Sequence, residues 1–140
     1  MKKDERKTIL VIEDEPEVCN FASRVLELEG YNVLQAEDGD NGLRLVRQND
    51  CALVLLDLWL PGRDGWAVLE EMKADPELCT IPVVVFTASA AIPQHQRALS
   101  MGAADYLIKP VSAVSLSKTV ARVLNRTKVV LTCHQRKRLS

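Results

Sequence analysis

The chain has 140 residues, the length of one ordinary domain, and 47% hydrophobic content, enough for a sizeable core. Its formal net charge is −1, but residues 122–140 hold six bases and no acids, so the preceding part carries twelve bases against nineteen acids. An acidic body with a basic tail argues against direct nucleic-acid binding by the domain itself. No apolar stretch approaches the roughly 20 residues of a membrane span, and the charged start at residues 1–7 leads into a run too short for a signal peptide. A cytoplasmic protein is therefore expected. The four cysteines (Cys19, Cys51, Cys79, Cys133) are widely spaced, with no CxxC or Cys/His ligand pattern. Neither a disulfide framework nor a structural metal is expected from them.

Apolar runs alternate with amphipathic segments along the chain. The first run, Thr8 to Ile12, reads as a strand. Glu15-Pro16-Glu17 opens a helix: proline is tolerated in a first turn, and acids there suit the helix dipole. Val18, Ala22, Val25 and Leu26 mark its apolar face, and Gly30 is placed to end it. Residues 31–36 read as a second strand. Asp38-Gly39 starts a second helix, and Gly42 inside it predicts weakness, since glycine costs about 1 kcal/mol against alanine.

Residues 52–57 form the third predicted strand. The turn Pro61-Gly62-Arg63-Asp64-Gly65 leads to a helix with Val68, Leu69 and Met72 on one face, and the Trp66–Met72 stretch reads as structural. Val83 to Thr87 is the fourth strand, followed by a helix from Ile92 to Met101 and a stop at Gly102. A fifth strand spans 104–108, and a last helix runs from Ser112 to Asn125, with Leu116, Val120 and Val123 inward. Strict β-α alternation with near-continuous apolar strands predicts a parallel sheet covered by helices on both faces. This is a doubly wound α/β fold over residues 7–126, with a basic tail at 127–140.

The unusual polar residues all fall at strand ends. Glu13 and Asp14 follow the first strand, Asp57 ends the third, Thr87 ends the fourth and Lys109 follows the fifth. In a parallel sheet these ends share one edge, where such folds place their ligands. A carboxylate ending a buried run is costly unless something uses it. Three adjacent carboxylates repel, and their charge calls for Lys109 and a hard divalent ion; Mg²⁺ suits carboxylate, phosphate and water oxygens. With both present, the formal charge sums to zero. Such a constellation suits phosphoryl transfer to a carboxylate.

Taken together, the segments Val11-Ile12-Glu13-Asp14-Glu15, Leu55-Leu56-Asp57-Leu58-Trp59-Leu60-Pro61-Gly62-Arg63-Asp64-Gly65, Val84-Val85-Phe86-Thr87-Ala88 and Gly102-Ala103-Ala104-Asp105-Tyr106-Leu107-Ile108-Lys109-Pro110 resemble the receiver domain of two-component response regulators. The resemblance implies a flavodoxin-like three-layer sandwich with strand order 2-1-3-4-5. It implies Asp57 as phosphoacceptor, Asp14 as direct Mg²⁺ ligand, Glu13 acting more through water, and the Trp59 carbonyl completing the set. Lys109 would pair with the phosphoryl group and Thr87 would bond to it on activation. Thr87 movement would let Tyr106 turn inward and remodel the face formed by the fourth helix, fifth strand and fifth helix. Ala88 is small where a backbone N–H must approach the phosphoryl, and Lys109-Pro110 is expected to be cis. The implied protein is a stand-alone signalling module rather than an enzyme, although it promotes its own phosphorylation and dephosphorylation. Its donor would be a sensor histidine kinase or a histidine phosphotransfer protein, and its output a protein contact. It would be a monomer or a phosphorylation-dependent dimer.

Trp59 and Ser89 stand at positions that tune phosphoryl lifetime in that family, and Trp59 is expected to shield Asp57 partly from water. The tail reads either as a linker stub or as a basic patch for an acidic partner. Among rival readings, the receiver part of a larger transcriptional regulator stays open. A haloacid-dehalogenase-type phosphatase needs a second Asp where this chain has Trp59. A flavodoxin-like cofactor binder needs a phosphate loop where this chain has Glu13-Asp14-Glu15. No Walker or GxGxxG loop is present.

Overall fold

The computed structural model describes residues 6–62, 64–88 and 91–126. The elements alternate as β1 (Thr8–Ile12), α1 (Pro16–Leu28), β2 (Asn32–Ala36), α2 (Gly39–Gln48), β3 (Leu53–Leu56), α3 (Gly65–Ala74), β4 (Val83–Thr87), α4 (Ile92–Ser100), β5 (Asp105–Ile108) and α5 (Ala113–Arg126). Every bound that the sequence predicts is met to within one residue. The five strands are all parallel, in the order β2-β1-β3-β4-β5.

The continuous apolar runs follow from a sheet buried on both faces. Successive strand residues point to opposite sides. Leu10, Ile12, Val54, Leu56, Val83 and Val85 enter a core with α2, α3 and α4. Ile9, Val11, Leu53, Leu55, Val84 and Phe86 enter a second core with α1 and α5. Burying each such side chain contributes about 1.5–3 kcal/mol, so no polar residue is tolerated until the strands end. The chain then turns polar at one edge.

Gly42 has a reason that helix propensity does not supply. A Cβ there would lie 2.5 Å from Ile12 Cδ1, so α2 sits against β1 at a distance only glycine permits. The helix is complete over ten residues, with Asp38 capping it by accepting from the Asn41 N–H at 2.8 Å. Cys19 and Cys51 are buried free thiols, where cysteine packs as a small hydrophobe. Arg63, Ser89 and the tail 127–140 lie outside the described residues.

Candidate functional site

The topology brings the strand ends together. Strand order reverses between β1 and β3, so a crevice opens beyond their carboxyl ends. Ile12 pairs with Leu56, which puts the next residues, Glu13 and Asp57, side by side. The Asp57 N–H donates to the Ile12 carbonyl at 3.0 Å, continuing the ladder by one rung. Glu13 and Asp57 are 1% and 4% exposed, whereas Asp14 is exposed. One oxygen from each of the three carboxylates falls within a cluster 4.8 Å across.

Lys109 reaches this cluster from β5. Its Nζ donates to Asp57 Oδ2 at 3.0 Å and lies 2.5 Å from Glu13 Oε2. The Glu13 contact is an ion pair, and Oε2 has no other partner among the described residues. The lysine stem passes the Phe86 ring, with Nζ 5.1 Å from its centroid, and the Lys109-Pro110 peptide is cis as expected. The remaining Asp57 oxygen, Oδ1, accepts from the Trp59 N–H at 3.1 Å. Glu13 Oε1 accepts from the Glu15 N–H at 3.2 Å.

Burial pushes the Glu13 carboxyl up to about 7, and the neighbouring Asp57 charge adds to the rise; Lys109 and the Glu15 N–H oppose it. Burial alone would lower the Lys109 ammonium. The Glu13 and Asp57 carboxylates outweigh burial and hold it above the usual lysine value. The lysine is therefore a firm cation, but one positive charge does not neutralise three acids.

Thr87 sits at the end of β4, fully buried, and its hydroxyl has no partner among the described residues. An orphaned buried hydroxyl is unusual in a folded protein. The Lys109 N–H donates to the Thr87 carbonyl at 2.8 Å, which fixes their relative position through the backbone. Tyr106 is buried on β5, opposite Val85 in the register, on the same sheet face as Thr87. Trp59 is 56% exposed at the mouth of the crevice. Trp66 and Met72 are buried in α3, as structural residues should be.

One supporting residue was visible in the sequence only as part of a turn. Gly65, the first residue of α3, donates its N–H to the Leu58 carbonyl at 3.0 Å. A Cβ at Gly65 would stand 2.2 Å from the Asp57 carbonyl oxygen. The start of α3 thus presses directly on the backbone that carries Asp57. The available signal was a glycine directly after a helix cap, Asp64, which accepts from the Ala67 N–H at 2.8 Å.

The family model for the response regulator receiver domain matches residues 9–121. The chain belongs to this family. Receiver domains are signalling modules of two-component systems rather than conventional enzymes. Among similar proteins, the DNA-binding dual master transcriptional regulator RpaA of Synechocystis is 38% identical over 119 residues, covering 85% of this chain and 49% of RpaA. The protein PilH of Pseudomonas aeruginosa is 35% identical over 116 residues, covering 83% of this chain and 96% of PilH. The crystal structure of the receiver domain of NtrX from Brucella abortus superposes with a TM-score of 0.78 at 33% identity, covering 84% of this chain and 98% of that one. The chain thus spans about half the length of RpaA and similar regulators but almost all of PilH. Among the described residues of this receiver, no helix is long and apolar enough to cross a membrane.

Proposed function

We propose that this receiver accepts a phosphoryl group on the Asp57 carboxylate from the phosphohistidine of a sensor kinase or a histidine phosphotransfer protein. In that step the phosphorus–nitrogen bond breaks, a carboxylate oxygen–phosphorus bond forms, and the imidazole nitrogen keeps the electron pair. Later attack by water on phosphorus releases inorganic phosphate and restores the carboxylate. The observation that carries the reading is the buried Asp57 carboxylate, held by Lys109 within a three-carboxylate cluster at the strand-order reversal.

The donor set fits Mg²⁺: three hard oxygens converge, and the acids exceed the available positive charge. Asp14, Asp57 and the Trp59 carbonyl would hold the ion, with Glu13 acting through water. When bound, the ion stabilises negative charge on the transferring phosphoryl oxygens. Lys109 orients Asp57 and balances charge on the incoming group. The free Thr87 hydroxyl is a donor in waiting for a phosphoryl oxygen. Its recruitment would pull the end of β4 and couple, through Tyr106, to the α4-β5-α5 face that contacts a downstream protein. Trp59 at the crevice mouth would limit access of water to the acyl phosphate. The half-length match to RpaA supports a second reading, in which this receiver controls an attached output domain.

Acetyl phosphate with Mg²⁺ should add one phosphoryl group, detected by intact mass, and Asp57→Asn or EDTA should abolish it. Labelling that survives Asp57→Asn would overturn the assignment.

A further inference from the structure

Tyr106 is the only buried residue of β5, which is an edge strand of the sheet among the described residues. What covers its ring is therefore α4. That helix is weakly anchored: Ala98 is its only buried residue, and Ala91 gives no side-chain cap at its start. Two ring contacts supplement this anchor. The His95 imidazole stacks on the Tyr106 ring, with centroids 4.6 Å apart and planes 15° from parallel. Two residues on, the Arg97 guanidinium lies 4.2 Å over the Trp66 ring of α3. His95 and Arg97 thus clasp α4 to different partners.

We propose that His95 is a positioning residue for the switch: its stacked imidazole holds Tyr106 inward before any phosphoryl group arrives. The inference rests on the reading of Asp57 as acceptor and of inward Tyr106 as the activated arrangement. Tyr106 here is 6% exposed while the Thr87 hydroxyl is still unpartnered, so the ring already occupies the inward position. Thr87 shares a sheet face with Val85, the register partner of Tyr106, so the two side chains lie on the same side of adjacent strands. A contact that stabilises the inward ring lowers the free energy of the state that phosphorylation selects. Apparent affinity of Asp57 for a phosphoryl group scales with the fraction of chains in the inward state, so losing the contact lowers it by the factor by which that fraction falls.

The test uses beryllofluoride with Mg²⁺ as the phosphoryl stand-in, and fluorotyrosine NMR, in which only Tyr31 and Tyr106 contribute. Removing the stack by His95→Ala should weaken beryllofluoride binding about two- to tenfold, the range expected for an aromatic pair. In the free protein it should also expose the Tyr106 fluorine to a soluble paramagnetic probe. His95→Phe keeps a stackable ring and should restore both readouts. Arg97→Ala removes the other clasp and should leave both near wild type. Unchanged binding in His95→Ala, or an equal loss in Arg97→Ala, would overturn the proposal, the latter because it reports general loosening of α4. If the wild-type chain takes no beryllofluoride, the acceptor reading fails and the affinity claim falls with it. The Tyr106 signal of the free protein still reports whether His95 holds the ring.

Discussion

The two halves of the site are built to different standards. On the Asp57 side, all four residues of β3 are buried, and α3 behind it buries five residues, Gly65, Trp66, Val68, Leu69 and Met72. On the responding side, β5 buries only Tyr106 and α4 buries only Ala98. Both halves belong to one sheet, so the contrast is not one of fold but of anchoring. On the proposed function, a carboxylate that must meet a phosphoryl group in line needs a backbone that does not yield. A face that must report the event needs neighbours with few contacts to break.

The strongest way to break this comparison is to disturb the rigid half. Gly65→Ala forces a Cβ toward the Asp57 carbonyl, so either α3 or the acceptor backbone must retreat. Overpacking of this kind costs about 1–3 kcal/mol or more. Urea unfolding should register that loss, and acetyl-phosphate labelling should fall in the fraction that remains folded. Wild-type stability in this variant would mean that the acceptor loop yields easily and that the contrast is wrong.

Glu13→Gln should have an intermediate effect, with a sign set by pH. The Glu13 carboxyl is raised from 4.5 to about 7 in the folded chain, chiefly by burial. A raised carboxyl stabilises the fold fully below about pH 4.5, and that contribution is lost as pH rises through about 7. Without metal at pH 8, the buried charge is a burden, and Glu13→Gln should be more stable than wild type by about 1–3 kcal/mol. At pH 5 the difference should shrink. Denaturation in EDTA at the two pH values checks this. A destabilised variant at pH 8 would show that pairing with Lys109 outweighs burial.

The smallest expected effect lies at the exposed rim. Trp59→Asn should speed loss of the phosphoryl group about threefold, under 1 kcal/mol of barrier. An equal or slower rate would remove the shielding role. Since Trp59 also donates its main-chain N–H to Asp57, a substitution that keeps the backbone isolates what the indole contributes.

The sequence made much of the architecture and the acid cluster legible, and the reasons are local. Residues 83–86, Val-Val-Val-Phe, are short, β-branched and bounded by Pro82, which favours a strand covered on both faces, and polar residues at strand ends are conspicuous against such runs. Asp57 falls inside the predicted strand and stands one rung beyond β3 in the structure, still bonded to Ile12. Gly42 was read as a cost to α2, yet it is what lets that helix reach Ile12. The stacking of His95 on Tyr106 left no trace in the sequence. Periodicity reports the face of one element, whereas this pair depends on the angle at which α4 crosses β5.

The rung from the Asp57 N–H to the Ile12 carbonyl has a consequence for anyone wishing to move this chemistry elsewhere. Inserting one residue into either strand could preserve a sheet, but it would turn the acceptor toward the opposite helix layer and away from its lysine. The portable unit is therefore not a list of acids. It is a pair of parallel strands locked in phase, with a glycine-started helix as the stop that prevents them from sliding.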